Sequence, residues 1–390
     1  MRRLVRIIKK MHWKDLISPL IFLIMLMPAG IFRLRNKLTQ RRLWLIAEEG
    51  EARDNGYYFY KYVREKHPKD FCFYAVKTKS AGYKKIAKLG NVIKFGSLKH
   101  WLYYMAADLN ISSQVGGNPS SLFWYFVHVV LGLYQNRVFL QHGVIMNDVA
   151  ALYYKRTKFK YFICGAKLEY EEILGEYGYP FGSVVLTGLP RWDYLKNKTV
   201  SEKSILIMPT WRKYLEHENE MQFKKSAYYK AWNTLLNDKA FVGFVEKHNI
   251  NVYFYPHRNM QSKLNAFEFS SDKIKPVSMN EDIALYFSKC DLMITDYSSV
   301  TFDFAFLDKP VVYYQFDQKD FRLNQHDEGY FSYERNGFGP VLKSNNDVVH
   351  EVQKIVKDNF EIDSEYNERI RSFFTLHDRQ NCKRIYGALG

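Results

Sequence analysis

Short apolar runs separated by longer mixed stretches dominate the chain from Arg42 onward. A first series reads LWLIA, FCFYAV, NVIKF, VFLQH, KYFIC and SVVLTG, and a second reads ILIMPT, VYFYPH, LMITDY and VVYYQF. Runs of this length, rich in β-branched and aromatic residues, indicate buried strands, and the stretches between them are long enough for helices. The pattern predicts an α/β fold with mostly parallel strands in two halves.

The two series set the expected domain boundaries. We predict one Rossmann-like domain over residues 42–195 and a second over residues 204–372, with the polar stretch 196–203 as a linker. Residues 1–41 form a separate basic and apolar segment, and residues 373–390 include a last helix. The chain is long enough for two domains with cores of their own.

The N-terminal segment contains an uncharged apolar run of 17 residues, Leu16 to Phe32, with six basic residues before it and five after. A helix of that length spans about 25 Å, which is short for a membrane crossing. The symmetric basic flanks give no orientation, and Pro19 and Pro28 argue against one straight spanning helix. The pattern favours a monotopic anchor in the cytoplasmic leaflet through residues 16–32. A short transmembrane helix and a buried soluble helix are the alternatives.

Charge and cysteine content narrow the class of partner. The chain has 57 basic and 41 acidic residues, a net charge of +16, so we expect partners that carry negative charge. The basic residues are dispersed and no nucleic-acid-binding motif is present, which leaves anionic membrane lipid, a nucleotide donor and a phosphate-bearing acceptor. Four isolated cysteines indicate reduced core residues of a cytosolic protein, namely Cys72, Cys164, Cys290 and Cys382.

The stretch from Asp291 to Asp317 predicts one strand–helix–strand unit. Ser298 or Ser299 is placed as the N-cap of the helix, so hydroxyls and backbone N–H groups would meet at the carboxyl end of a parallel strand. Such a place attracts a phosphate. The alternative is that Asp-Tyr-Ser-Ser only caps the helix.

Four other segments occur with ITDYSSVTFDFAFLDKPVVYY in a fixed order, namely QHGVIMNDVA (141–150), TGLPRWDYL (187–195), ILIMPTWR (205–212) and YFYPHRNM (253–260). The ordered set resembles the CDP-glycerol glycerophosphotransferases, which prime or polymerise teichoic acids and related glycans. The resemblance runs from Leu43 to Tyr386. It implies two Rossmann-like domains facing a cleft, the GT-B type, with the last helix crossing back to the first domain. It also implies transfer of glycerol phosphate from CDP-glycerol to a hydroxyl group, with release of CMP.

His142 is the expected general base. It follows the strand-like run VFLQ and precedes Gly143, so its ring would lie at the carboxyl end of a strand. An isolated histidine is more often structural, but this one matches the HG motif of the family. The chain departs from the family pattern after that motif, at residues 144–148, which bears on the acceptor contacts more than on the base.

The donor side is expected to use a second histidine and several phosphate ligands. The resemblance implies that His257 contacts the donor pyrophosphate, with Arg258 adding charge beside it. Thr210 and Arg212 follow another strand end, where Arg212 would bind an anion bidentately. A solvated loop histidine and a surface arginine are the structural alternatives.

Ser298 and Ser299 are expected to hold donor phosphate, and Asp303 to bind a donor hydroxyl or orient a basic neighbour. Arg191 and Asp193 are either ligand contacts or an ion pair between the domains.

Neither cofactor nor donor identity is decided by these motifs. No Asp-x-Asp triplet or metal-ligand spacing is present, so the sequence requires no metal, although Mg²⁺ bound through the pyrophosphate fits the chemistry. CDP-ribitol is the alternative donor, and a GT-B glycosyltransferase using a sugar nucleotide would share the fold. A catalytically silent membrane scaffold is a third interpretation. We expect a polyprenyl-linked saccharide as the acceptor.

Overall fold

The computed structural model describes residues 13–48, 52–197, 202–325 and 328–390. The chain forms two compact units. The first contains Met1–Val144, Val149–Tyr194 and Asp378–Gly390, and the second contains Ile145–Asp148 and Leu195–His377. Part of the expected linker, residues 198–201, and the first 12 residues of the N-terminal segment lie outside the described residues.

The first unit is built on a seven-stranded sheet in the order β3-β2-β1-β4-β5-β6-β7. Every neighbouring pair is parallel. The strands are β1 (Trp44–Ala47), β2 (Cys72–Val76), β3 (Val92–Lys94), β4 (Leu109–Ser112), β5 (Arg137–Phe139), β6 (Tyr161–Cys164) and β7 (Val184–Leu186). The strand order reverses between β1 and β4, which makes this pair the topological switch point where Rossmann-like sheets bind ligands.

Strand β4 is the element that the hydrophobic pattern missed in this unit. Its sequence LNIS contains two polar residues, yet all four residues are buried. Asn110 donates to Tyr104 O at 3.0 Å and Ser112 donates to Ala47 O at 2.8 Å, so each polar side chain makes an internal hydrogen bond. A central strand with such side chains carries a weak apolar signal.

Helices cover the sheet of the first unit and give it its core. They are α1 (Trp13–Leu38), α2 (Asn55–Lys66), α3 (Tyr83–Ala87), α4 (Leu98–Ala106), α5 (Ser121–Tyr125), α6 (Tyr154–Thr157), α7 (Lys167–Glu176) and, near the end of the chain, α17 (Asn381–Leu389). A π-helical turn at Phe126–Val130 continues α5.

Helix α1 is longer than the apolar run suggested and continues through Pro19 and Pro28. The two prolines are therefore accommodated within one helix, and one face of this helix packs on the first unit. Phe22 contacts Phe123 with ring centroids 5.4 Å apart, and Phe32 contacts Tyr103 at 5.1 Å. Tertiary packing of this kind offsets the local cost of proline. By length and composition, Asp15–Leu38 is able to cross a membrane.

The second unit has a six-stranded parallel sheet in the order β10-β9-β8-β11-β12-β13. Its strands are β8 (Ser204–Met208), β9 (Asn251–Phe254), β10 (Ile274–Pro276), β11 (Leu292–Thr295), β12 (Val311–Tyr314) and β13 (Val341–Leu342). The switch point here lies between β8 and β11, with Leu292 opposite Ile205. The sequence pattern missed the two edge strands, β10 and β13, which have only three and two residues.

The helices of the second unit enclose an apolar core around Trp232 and Phe254. They are α8 (Glu220–Lys225), α9 (Ala227–Asn237), α10 (Lys239–Lys247), α11 (Ile283–Lys289), α12 (Thr301–Ala305), α13 (Gln318–Asn324), α14 (Tyr333–Asn336), α15 (Asn345–Lys357) and α16 (Ser364–Phe373). The two parallel α/β sheets establish the predicted fold class.

The C-terminal segment is divided differently from the prediction of one helix starting near Phe373. Phe373 ends helix α16 and stacks on Phe302 within the second unit, with centroids 5.1 Å apart. Helix α17 begins only at Asn381 and belongs to the first unit. All four cysteines are free and buried.

Candidate functional site

His142 and Asp54 form a hydrogen-bonded pair in the first unit. His142 lies just beyond β5, and its Nδ1 is hydrogen-bonded to Asp54 Oδ2. The side chain of His142 is 85% exposed. The hydrogen bond and charge of Asp54 raise the pKa of His142 above 6.5. Because Nδ1 is engaged, Nε2 is the ring atom available to exchange a proton with a ligand. The arrangement is that of a general base oriented by a carboxylate.

The remaining contacts of Asp54 fix it in place. Its Oδ1 accepts a hydrogen bond from Asn55 N at 2.8 Å as the N-cap of α2. Arg191 Nη1 lies 3.6 Å from the same oxygen, and this guanidinium also donates to His142 O. The side chain of Asn55 donates to Gln141 O at 2.8 Å and accepts from Arg191 N at 3.1 Å. Three separate segments therefore meet at the base.

Gln141, next to the base, has a left-handed backbone with φ 64°. It is fully buried, and its amide donates to Ile163 O. A left-handed conformation costs a residue with a Cβ roughly 1 kcal/mol, so the surrounding packing must hold it. This conformation sets the direction of the chain as it enters His142.

The other residues predicted near His142 have different roles. Gly143 is half-buried beside the base. Asp193 accepts hydrogen bonds from Asn381 N at 2.9 Å and from Cys382 N at 2.7 Å, both within the first unit. The carboxylate of Asp193 therefore caps helix α17 within the first unit. Its roles as a ligand contact or in an ion pair between the domains stay predictions. Arg191 instead contacts Asp54.

The structure contradicts the prediction that Arg212 binds an anion. Its guanidinium is fully buried in the second unit, where Nη2 lies 2.8 Å from Asp296 Oδ2 and Nε lies 2.8 Å from Asp317 Oδ2. The guanidinium carbon of Arg212 lies over the aromatic rings of Tyr297 and Phe321, 5.1 and 4.9 Å from the two ring centroids. Burial lowers the pKa of Arg212, but the two carboxylates raise it by more. With its donors committed, Arg212 ties three strand ends together and is not an exposed phosphate ligand.

Asp296 organises the loop after β11. Its Oδ1 accepts hydrogen bonds from Thr210 N at 2.8 Å and from Tyr297 N at 2.7 Å. The hydroxyl oxygen of Thr210 accepts from Tyr297 N at 3.3 Å. Thr210 thus lies at the switch point, half-buried, with its backbone held by a carboxylate that Arg212 neutralises.

Ser298 and Ser299 precede a short helix whose N-cap is Val300, so the predicted N-cap is displaced. A hydrogen bond from Thr301 N to Ser298 O, 3.3 Å long, turns the chain before the helix. The helix itself has only five residues. The expected anion site of a full helix N-terminus is therefore absent at α12. Both serines are half-buried, and their hydroxyls are the groups that a phosphate would meet.

Asp303 lies inside α12 and is only 1% exposed. A direct bond from this carboxylate to a donor hydroxyl is therefore not supported. The other predicted role, orientation of a neighbouring group, is consistent with its burial.

His257 caps the 3₁₀ helix Arg258–Ala266, and its Nδ1 accepts from Asn259 N at 3.3 Å. An accepting Nδ1 places the ring proton on Nε2, which is then a donor. The ring stacks on Trp211 with centroids 6.0 Å apart and planes inclined by 19°. Arg258 is exposed beside it.

Asp54, Asn55 and Asp296 were not identified from the sequence. Asp54 directly precedes an apolar helical pattern, so its N-cap position was a usable signal. Among the described residues, no group of three or more His, Cys, Asp or Glu side chains is placed to hold a metal ion.

Two parallel Rossmann-type sheets with ionisable and hydroxyl side chains beyond their strands are typical of enzymes that act on nucleotides. Residues 30–389 match the model of the CDP-Glycerol:Poly(glycerophosphate) glycerophosphotransferase family. The chain belongs to this family, as its motifs predicted.

Curated relatives act in teichoic acid biosynthesis, according to their names. The minor teichoic acid biosynthesis protein GgaB of Bacillus subtilis (strain 168) is 33% identical over 365 residues, which is 90% of this chain and 40% of GgaB. The teichoic acid glycerol-phosphate transferase of Staphylococcus aureus (strain NCTC 8325 / PS 47) is 26% identical over 227 residues, 52% of this chain and 53% of that protein. The chain thus spans about half or less of the length of these relatives.

Solved structures share the fold. A histidine variant of the wall teichoic acid polymerase TagF superposes with a TM-score of 0.67 at 16% identity. The superposition covers 97% of this chain and 98% of the TagF chain. A UDP-GlcNAc 2-epimerase from Neisseria meningitidis bound to UDP-GlcNAc superposes with a TM-score of 0.54 at 9% identity, covering 90% and 99%. The fold is therefore common to a wall teichoic acid polymerase and a UDP-GlcNAc 2-epimerase.

Proposed function

We propose that this protein transfers glycerol phosphate from CDP-glycerol to a hydroxyl of a lipid-linked glycan or polyol phosphate, releasing CMP. The product belongs to teichoic acid or a related cell-surface or capsular polysaccharide. The observation that carries the proposal is the Asp54–His142 pair at the carboxyl edge of a Rossmann-type sheet, in a chain of this family. Such a pair supplies the base that transfer to a hydroxyl requires.

The proposed reaction begins with proton transfer from the acceptor hydroxyl to Nε2 of His142. The acceptor oxygen forms a bond to the β-phosphorus of CDP-glycerol, and the bond from that phosphorus to the bridging oxygen breaks, so CMP departs. Asp54 stabilises the imidazolium that forms on His142. The raised pKa of His142 is consistent with this role, because the carboxylate favours the protonated ring.

We assign binding of the departing phosphate to residues of the second unit. His257 donates from Nε2 to the pyrophosphate, Arg258 adds positive charge, and Ser298 with Ser299 donates hydroxyl hydrogen bonds. Thr210 is a further hydroxyl donor. Together these groups offset the negative charge that develops on CMP. Mg²⁺ would enter with the pyrophosphate, held mainly by its oxygens.

The acceptor is proposed to be a polyprenyl-linked saccharide, met at the cytoplasmic face of the bacterial membrane. Helix α1 supports this localisation because large apolar side chains are exposed along its outer face, namely Leu16, Leu20, Leu23, Ile24, Met27, Ile31, Leu34 and Leu38. The neighbouring segment from α5 onward exposes Tyr125, Phe126, Val130, Leu131 and Leu133. Contiguous apolar surface on this scale marks an interaction site.

A monotopic arrangement through residues 16–32 fits better than a spanning one. The opposite face of α1 packs through Ile21, Phe22, Met25 and Phe32 on the core of the first unit. A helix that crosses a bilayer would lose these contacts along its length. The basic residues after α1, such as Arg41 and Arg42, would meet anionic lipid headgroups.

CDP-ribitol is the second candidate donor. The teichoic acid poly(ribitol-phosphate) polymerase of Bacillus spizizenii is 27% identical over 237 residues, 55% of this chain and 35% of that protein. Its similarity lies in the range of the glycerol phosphate enzymes, so the family alone does not distinguish the polyol.

A donor assay tests the proposal. Purified protein and bacterial lipid-linked saccharides are incubated separately with CDP-glycerol, CDP-ribitol and UDP-sugars, and nucleotide release and acceptor mass are measured. CMP with a glycerol phosphate increment supports the proposal, and a ribitol phosphate increment replaces the donor. UDP with a sugar increment, or no transfer from CDP-glycerol when a related transferase accepts the same extract, would overturn it.

A further inference from the structure

A buried carboxyl group, Glu48, lies behind the Asp54–His142 pair. Glu48 directly follows β1 and is 2% exposed. Its Oε1 accepts from Ser113 N at 3.2 Å, and its Oε2 accepts from the hydroxyl of Tyr74. Ser113 follows β4, so this carboxyl group lies at the switch point of the first sheet.

Close packing joins Glu48 to the first turn of the helix that Asp54 caps. A Cβ atom added to Gly56 would lie 2.2 Å from Glu48 Oε1, so only glycine permits this approach. Gly56 N donates to Ser113 Oγ at 2.6 Å, which fixes the helix start against the same loop. The position of Asp54 therefore depends on a surface that Glu48 forms.

The charges of this cluster act on one another. Burial, followed by the charge of Asp54, raises the pKa of Glu48 to about 7, although the hydrogen bonds of Ser113 and Tyr74 oppose this. The charge of Glu48 adds to that of Asp54 in raising the pKa of His142, whereas Arg191 lowers it. Tyr57 is a further titratable group that acts on Tyr74, because its charge raises the pKa of Tyr74. An ionised Glu48 thus makes the base stronger.

We propose that Glu48 is a positioning residue that holds the helix start carrying Asp54 and places a second carboxyl group behind the Asp54–His142 pair. This inference rests on the proposed function only in giving His142 the role of base. A carboxyl group in this place contacts neither substrate, since it is buried and both its oxygens are engaged. Its effect is on the protonation of His142, and that effect is measurable without turnover.

The test is an NMR titration of histidine side chains in the full-length protein, with the His142 signal identified by its loss in His142→Asn. In Glu48→Gln we expect the pKa of His142 to fall by about half a pH unit, because a nearby negative charge is removed. The matched control is Glu169→Gln, since Glu169 is equally buried and accepts from Gly165 N, but does not contribute to the shift at His142. The control should leave His142 unchanged.

Tyr74→Phe provides a second variant if Glu48→Gln does not fold. It removes the hydrogen bond that keeps Glu48 ionised, so Glu48 becomes neutral over a wider pH range and the pKa of His142 again falls. An unchanged His142 pKa in whichever variant folds would overturn the proposal. So would an equal fall in Glu169→Gln.

Turnover separates this inference from the function itself. If CMP is released, the acidic limb of the kcat/KM profile should move to lower pH in Glu48→Gln by the shift seen in NMR. If the wild-type protein releases no CMP, the proposed function fails, yet the titration still decides whether Glu48 controls His142.

Discussion

One carboxylate oxygen of Asp54 caps helix α2 while the other holds Nδ1 of His142. The start of a helix and the orientation of the base are therefore fixed by one side chain. Since Asp54 is largely buried and His142 is largely exposed, the carboxylate is the rigid partner of the pair. This arrangement fixes the ring tautomer before any substrate binds.

Replacement of the base should separate chemistry from donor binding. We expect His142→Ala to lower kcat by roughly 10²–10⁴-fold, the usual contribution of a positioned acid–base group. Binding of CDP-glycerol, measured by calorimetry, should change little because the donor contacts are assigned to the second unit. His217→Ala, at another histidine, is the control. Wild-type turnover in His142→Ala would remove this residue from the mechanism.

Asp54→Asn should change the pH dependence. The carboxylate raises the pKa of His142, so its loss should lower that pKa and move the acidic limb of kcat/KM to lower pH. The plateau rate should also fall by about tenfold or more, since the ring loses its orientation. A pH–rate profile that is displaced upward, or not at all, would contradict the pairing.

The same pair contributes to stability with a defined sign. Because the folded pKa of His142 is raised, the contribution is fully present below the unfolded pKa of about 6.5 and is lost as pH rises through the folded value. Wild type and Asp54→Asn should therefore differ more in Tm at pH 5.5 than at pH 8.5. Urea unfolding at the two pH values gives an independent measurement.

Substitution of Arg212 should lower the free energy of unfolding, whereas substitution of Arg258 should leave it nearly unchanged. Arg212→Met leaves Asp296 and Asp317 buried without their cation, and we expect a loss of about 3–5 kcal/mol in the free energy of unfolding. Arg258→Ala removes an exposed side chain and should leave stability within about 0.5 kcal/mol. Chemical denaturation compares the two. If Arg212→Met were stable and only donor binding were lost, Arg212 would be a ligand after all.

The serine pair offers a direct test of the phosphate assignment. The double variant Ser298→Ala with Ser299→Ala should raise the Kd for CDP-glycerol by about tenfold to a hundredfold, since the two lost hydrogen bonds are worth about 1.4–2.7 kcal/mol in total. Ser278→Ala with Ser288→Ala is a control in the same unit. Unaltered donor affinity in the test variant would exclude both hydroxyls from the site.

Membrane attachment should depend on the outer face of α1. Leu20, Leu23 and Met27, each changed to Ser in the full chain, should release the protein from vesicles containing anionic lipid, because these side chains are exposed. The control changes Leu285 and Leu323, which are exposed in the second unit. Vesicle flotation measures both. Equal binding of the test variant and wild type would argue against the anchor.

Hydrophobic patterning predicted most of the strands because parallel strands buried on both faces are continuously apolar. It failed at β4, where Asn110 and Ser112 are buried but hydrogen-bonded, and at the very short edge strands β10 and β13. These strands are stabilised by contacts distant in sequence, so a local pattern carries little information about them.

Candidate site residues could be placed from the sequence mainly where a residue follows a strong strand. His142 and Thr210 follow β5 and β8, but Asp54 is 88 positions from His142, and nothing local joins them. Arg212 was misassigned because its two carboxylates come from segments 84 and 105 positions away. Whether an arginine meets a ligand or a buried acid is settled by tertiary contacts.

The capping of α17 by Asp193 also has a consequence for folding of the protein. Residues 378–390 belong to the first unit, yet Leu195–His377 of the second unit lie between them and Tyr194 along the chain. The hydrogen bonds from Asn381 N and Cys382 N to Asp193 join positions 188 and 189 residues apart. Contacts of such separation form slowly, so we expect the docking of α17 to be a late step in folding of the unit that carries His142.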